Sequence, residues 1–81
     1  MNVKIYSKPA GQCPYCEKAK KFFNSKGIAY QEVIVGIDIA EDAFRALTGM
    51  TTKPAIYING QLIGGYTDLT EYVVEHQDLF E

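Results

Sequence analysis

Cys13 and Cys16 are the only cysteines of the chain and stand in Gln12-Cys13-Pro14-Tyr15-Cys16-Glu17-Lys18-Ala19, just ahead of a run with helical periodicity. Two thiols at this spacing can cycle between dithiol and disulfide. A helix start presents free backbone N–H groups and the positive end of the helix dipole, and both favour an anion. Cys13 is therefore expected to be exposed, low in pKa and held as the thiolate, the nucleophile of thiol–disulfide exchange. Pro14 suits the first helical turn, where its missing N–H would have had no partner. Cys16, one turn inside on the apolar face, is expected to be shielded and less ionised.

Three other uses of the pair fit less well. A structural disulfide would close almost no loop and would stabilise little, because the entropy removed from the unfolded chain grows with loop length. A zinc site wants four ligands, and beyond these cysteines the chain offers one distant histidine, His76. Haem attachment needs a histidine directly after the second cysteine, where Glu17 stands. His76 itself reads as an edge-of-core or surface residue.

The elements that must position the pair follow from periodicity. Val3-Lys4-Ile5-Tyr6 alternates as a short strand, and Pro9-Ala10-Gly11 breaks it. Cys16, Ala19, Phe22 and Phe23 recur at helical spacing, with Lys18, Lys20 and Lys21 mostly on the other faces. Gly27 is expected to close that helix. Ile28 to Val35 reads as a second strand, parallel to the first because a helix lies between them. Asp38 and Glu41 have capping-box spacing and predict a second helix whose apolar face is Ala40, Ala43, Phe44 and Leu47, ending at Gly49. Ala55–Ile58 and Gln61–Ile63 flank Asn59-Gly60, the sharpest hairpin signal present. Gly64-Gly65-Tyr66-Thr67 leads into a last helix, in which Asp68 and Glu71 repeat the capping spacing and Leu69, Tyr72, Val73 and His76 share a stripe. The order is βαβαββα, an α/β arrangement with a mixed four-stranded sheet flanked by three helices.

Eighty-one residues predict one domain, 1–81, with a modest core. A 47% hydrophobic content excludes wholesale disorder, and a net charge of −2 with mixed signs gives no case for nucleic acid or an anionic membrane. No apolar run approaches the ~20 residues of a membrane span. The N-terminus enters a strand directly and shows no signal-peptide core, so a reducing compartment, the cytoplasm, is the expected home.

Three motifs in this order resemble those of the glutaredoxins, in the thioredoxin-like superfamily, over essentially the whole chain. They are Cys13-Pro14-Tyr15-Cys16, the dithiol form, Thr52-Lys53-Pro54 before the third strand, and Gly64-Gly65-Tyr66-Thr67-Asp68 before the last helix. The resemblance implies a thioredoxin-like fold and glutathione as co-substrate, with no metal expected. It implies a cis Pro54 and a Lys53 backbone that pairs with glutathione as a short antiparallel strand. It also implies that Thr52, Gly65, Tyr66 and Thr67 contribute to the glutathione site, that Asp68 pairs with the γ-glutamyl ammonium, that Lys8 faces the glycine carboxylate and that Tyr15 lines the groove. Lys53 stands where the family usually has an apolar residue, and its ammonium is expected to add positive charge near the thiolate or a substrate carboxylate. Glu41 falls where relatives place Gln or Arg against the glycine carboxylate and would repel it, with Arg45 one turn on to compensate.

The activity implied is glutathione-dependent reduction of protein–glutathione mixed disulfides and protein disulfides, with Cys13 as nucleophile and Cys16 as resolving thiol in a monomer. Ribonucleotide reductase is one protein partner such a redoxin would serve. Two alternatives stand beside it. One is a redoxin recycled by thioredoxin reductase. The other is a dimer binding a [2Fe–2S] cluster through Cys13 and glutathione, against which Pro14 argues.

Overall fold

The computed structural model describes residues 1–80. Its elements are β1 (Val3–Ser7), α1 (Pro14–Ser25), β2 (Gln31–Ile34), α2 (Glu41–Thr48), β3 (Ala55–Ile58), β4 (Gln61–Gly64) and α3 (Tyr66–Glu75), with a 3-10 turn at Gln77–Leu79. The sheet order is β2-β1-β3-β4. β1 pairs parallel to β2 and antiparallel to β3, and β3 pairs antiparallel to β4. This is the mixed sheet that the element order predicts.

Alternation along the strands gives the sheet two apolar faces. On one, Val3, Ile5, Ile56 and Ile58 pack with Ala19 and Phe23 of α1, Leu69 of α3 and Phe80. On the other, Tyr6 and Ala55 pack with Val35 and Phe44 of α2. The helix carrying the cysteines is thus fixed to the central strands through Ala19 and Phe23, both wholly buried. Truncation of Phe23 to Ala is the kind of core deletion that costs about 3–5 kcal/mol.

Local chemistry sets the boundaries. Asn59 (φ 53°) and Gly60 (φ 82°) both adopt the left-handed conformation that a two-residue hairpin requires. The register slips by one residue between Ile56 and Tyr57, so that Gly64 faces Ile56. β2 is shorter than its apolar run suggests, because the Ile28 amide bonds back to the Phe23 carbonyl (2.9 Å) and closes α1 instead of starting the strand.

Asp38 does not cap α2. Its carboxylate accepts from the Ile34 amide (2.8 Å) while its own amide donates to the Ile34 carbonyl (2.7 Å), which closes the turn after β2. α2 begins after Ala40 with Glu41 and Asp42 in its first turn. Its buried positions are Phe44 and Thr48, whereas Ala40, Ala43 and Leu47 are exposed. A helix this short covers the sheet through one aromatic ring and needs no wider stripe. α3 begins at Tyr66, one turn earlier than the Asp68–Glu71 spacing implies. His76 stacks on Tyr72 at a centroid distance of 4.0 Å, at the edge of the core.

One polar cluster ties β1, α1 and β2 together. The buried Ser7 hydroxyl donates to Glu32 (2.6 Å), and Lys20 bonds both Glu32 and Glu17 at 3.0 Å. The Ser7 hydrogen bond, assisted by Lys20 and opposed by burial, holds Glu32 below the ordinary carboxylate value of 4.5. Burial works against the Lys20 charge, yet its carboxylate partners outweigh that and hold it above 10.5. A lowered carboxylate stabilises the fold fully above its unfolded pKa and ceases to as pH falls through its folded one; a raised ammonium does so below its unfolded pKa. Denaturant midpoints should therefore fall on the acid side of about 4.5 and the alkaline side of about 10.5, and Glu32→Gln should flatten both limbs.

Candidate active site

Cys13 is the N-cap of α1, in extended conformation, with Pro14 as the first helical residue. Its side chain folds back over the helix start, and the Cys16 amide donates to its Sγ at 3.2 Å. In the structure the two cysteines are joined by a disulfide, with Cα atoms 5.2 Å apart. An amide aimed at sulfur bonds a disulfide sulfur weakly and a thiolate strongly, since a charged acceptor roughly doubles such a bond. The helix start therefore favours the reduced, ionised state of Cys13 over its thiol.

Cys13 is less open than a helix-start residue is expected to be. It is 7% exposed, against 0% for Cys16. The cause is the loop before β3, whose Lys53 carbonyl oxygen lies 3.8 Å from Cys13 Sγ. The order of access nevertheless holds: an incoming group meets Cys13 and cannot meet Cys16.

The Lys53–Pro54 bond is cis, as the resemblance implies, and Pro54 is buried. The Gly65 segment lies against this loop, since a Cβ on Gly65 would stand 3.7 Å from the Pro54 carbonyl oxygen. Gly64 cannot be replaced so easily. It has φ 123°, and a Cβ there would collide with the Asp68 carboxylate. That carboxylate accepts from the Gly65 amide at 2.9 Å. It is one half of a capping box, since Gly65 has no side chain to supply the other. Asp68 and Thr67 are exposed at the third and second positions of α3.

The structure thus brings together Cys13, Cys16, Lys53, Pro54, Gly65 and the start of α3. Tyr15, 57% exposed, stacks on Tyr66 at a centroid distance of 6.2 Å and joins α1 to that start. Thr52 is exposed in the loop before Pro54. Lys8 is exposed beyond the end of β1, and among the described residues it forms no ion pair.

Lys53 corrects one expectation. Its side chain is 4% exposed, its Nζ lies 4.8 Å from the Phe44 ring centroid, and it is paired to Glu41. The other oxygen of Glu41 takes Arg45 Nε at 3.0 Å. Glu41 neutralises the Lys53 charge where it stands over Phe44, so Lys53 adds no net positive field at the thiolate. Glu41 does not stand free to repel an anion either. Its hydrogen bonds to Lys53 and then to Arg45 hold it below the ordinary carboxylate range. Sequence spacing had no access to this pair, which joins residues twelve apart across a tertiary contact.

A sulfur pair at a helix start on this sheet topology defines a thiol–disulfide oxidoreductase of thioredoxin-like fold. The chain belongs to the glutaredoxin family: the family model described as Glutaredoxin matches residues 3–63. Glutaredoxin 3 of Escherichia coli K12 is 42% identical over 69 residues, 84% of this chain and 81% of that one. The hybrid peroxiredoxin hyPrx5 of Haemophilus influenzae is 41% identical over 71 residues, 88% of this chain but 29% of that longer protein. The crystal structure of a buckwheat glutaredoxin–glutathione complex superposes with a TM-score of 0.73 at 31% identity, covering 94% of this chain and 68% of that one.

Two outcomes check this geometry. In the reduced protein, thiolate absorbance of Cys13 should rise well below the ~8.5 of a free cysteine, and a rise only near that value would remove the role given to the Cys16 amide. Glu41→Gln should lower the melting temperature clearly, because it strands the buried Lys53 ammonium, whereas Arg45→Gln on the exposed side of the same carboxylate should change it little.

Proposed function

We propose that the chain is a glutathione-dependent oxidoreductase that reduces protein–glutathione mixed disulfides and, more slowly, protein disulfides. The observation that carries this reading is the Cys16 amide aimed at Cys13 Sγ beside the Lys53 carbonyl, at 3.2 and 3.8 Å respectively. A nucleophilic sulfur there lies against a backbone edge on which an extended peptide can form strand-like hydrogen bonds. Glutathione is such a peptide. The family membership and the glutathione complex of the buckwheat relative support the same choice.

In the first step the Cys13 thiolate attacks the glutathione sulfur of a mixed disulfide. The Cys13–glutathione bond forms, the bond to the substrate sulfur breaks, and the substrate leaves with the electron pair and takes a proton from water. A second glutathione thiolate then attacks the glutathione sulfur on Cys13, which releases glutathione disulfide and restores the Cys13 thiolate. With a protein disulfide, Cys13 becomes bonded to the substrate, and Cys16 attacks Cys13 to expel it. The product is the Cys13–Cys16 disulfide, the state the structure holds. Glutathione then reduces it. Thr52, the Lys53 backbone, Gly65, Tyr66, Thr67 and Asp68 are assigned to holding glutathione, with Tyr15 along its side. The free oxygen of Asp68 would take the γ-glutamyl ammonium. Lys8, exposed just beyond β1, is assigned to the glycine carboxylate. The reaction suits a reducing compartment such as the cytoplasm and needs only a monomer.

A second reading concerns the protein substrate. A segment like this chain forms part of a hybrid peroxiredoxin in Haemophilus influenzae. Fusion of two activities in a relative favours a functional encounter between them, so the disulfide of a peroxiredoxin is a candidate substrate beside ribonucleotide reductase.

The test is a glutathione-coupled assay on a small mixed disulfide and on an oxidised peroxiredoxin. Cys13→Ser should abolish both activities. Cys16→Ser should keep the first and lose the second. Loss of both in a folded Cys16→Ser variant would overturn the roles assigned. Reduction of the oxidised wild type by NADPH and thioredoxin reductase but not by glutathione would replace the reductant. A brown, iron-containing preparation from iron-replete anaerobic cells would favour the cluster-binding alternative.

A further inference from the structure

α1 carries more than its cysteines. Tyr15, Lys18, Phe22 and Ser25, with Lys21 beside them, follow one another at spacings of three and four along one face. Lys18 Nζ stands 5.1 Å from the Tyr15 centroid and 6.0 Å from that of Tyr66, over the stacked pair. Lys18, Lys21, Phe22, Ser25 and Tyr66 line an open groove of about 430 Å³. From Tyr15 to Ser25 this face runs ~15 Å along the helix, at 1.5 Å per residue. That is the span of about five residues of extended peptide.

Among the described residues, no carboxylate pairs with the lysines of this face. Lys20, on the far side of the helix, is held by Glu17 and Glu32, and Lys53 by Glu41. Lys18 and Lys21 are exposed and have no ion-pair partner among the described residues. The protein as a whole is net negative, so these two ammonium groups form a local positive stripe against the general field. The exposed acid of the neighbouring helix start, Asp68, is occupied at one oxygen by the Gly65 amide.

We propose that this face is a docking shelf for the polypeptide flanking the substrate cysteine, and that it selects acidic segments. The stacked tyrosines stay with glutathione, and the substrate chain runs past them along α1, where Lys18 and Lys21 meet its carboxylates. Complementary charge and a matching length select one occupant, an extended acidic stretch of the substrate protein. The inference rests on the glutathione-dependent reading and adds to it the kind of protein that reaches Cys13.

The experiment compares three glutathione mixed disulfides at low ionic strength: a cysteine peptide flanked by aspartates and glutamates, the same peptide flanked by lysines, and 2-hydroxyethyl mercaptan. The wild type should turn over the acidic peptide with a kcat/KM ~5-fold above the basic one, the size expected from two exposed charge pairs. Salt should erase the difference. Lys18→Gln/Lys21→Gln should remove the preference and leave the hydroxyethyl substrate unchanged. Equal kcat/KM for the two peptides, or a preference that survives the double substitution, would overturn the shelf while the small substrate still reports glutathione chemistry. Failure of the wild type on all three would overturn the underlying reading and the shelf with it.

Discussion

A single amide aimed at a single sulfur is the constraint from which the rest of the molecule takes its purpose. The Cys16 N–H reaches Cys13 Sγ at 3.2 Å only because Cys13 sits as N-cap in extended conformation while Cys16 is already helical. Moving the helix start by one residue along the chain would remove both the hydrogen bond and the helix-end field. The orientation of α1 is fixed lower down, where Ala19 and Phe23 are packed against Ile5 and Ile56 of the central strands. Apolar packing further along the helix therefore sets where the sulfur stands relative to the Lys53 carbonyl.

That the backbone carries this duty is clear from the disposition of the cations. Lys53 is adjacent in sequence to Pro54 and has its carbonyl near Cys13, yet its ammonium is turned back onto Phe44 and Glu41. Lys20 is taken up by Glu17 and Glu32. Both are neutralised within the fold, and their work is to join elements: Lys53 ties the loop before β3 to α2, and Lys20 ties α1 to β2. The two roles of a lysine here, cement and recognition, divide according to whether a carboxylate stands within reach.

Much of this was legible in the sequence wherever a feature is decided locally. Pro14 after Cys13 fixes a helix start, Asn59-Gly60 fixes a hairpin, and alternation in Val3–Tyr6 fixes a half-sheet register, each through the conformational limits of the residues themselves. Local spacing misleads where a motif has two possible partners. Asp38 has the spacing of a helix cap, but the Ile34 amide lay nearer and took its carboxylate. Ile28 has the composition of a strand, but the Phe23 carbonyl captured its amide. Leu47 sits at a helical core position, but α2 has only the Phe44 ring and Thr48 turned to the sheet. The Glu41–Lys53 pair and the narrow access to Cys13 lie beyond spacing altogether, because each is a contact between elements brought together only by folding.

The narrow access has a consequence for how the two sulfurs divide their work. Cys13 and Cys16 share a helix, a disulfide and nearly the same surroundings, and they differ by 7% against 0% exposure and by which end of one hydrogen bond each supplies. The amide that would stabilise a Cys13 anion belongs to Cys16 itself, so in the proposed mechanism the resolving residue activates the attacking one through its backbone while its own sulfur stays beneath. Once Cys13 is bonded to a substrate it no longer bears a charge, and that amide loses its strong acceptor. Expulsion of the substrate by Cys16 then needs a thiolate that burial disfavours. On the glutathione-dependent reading proposed above, the same arrangement that makes the first exchange easy makes the second depend on local opening of the helix start, and a small mixed disulfide resolved from outside by glutathione is the easier course.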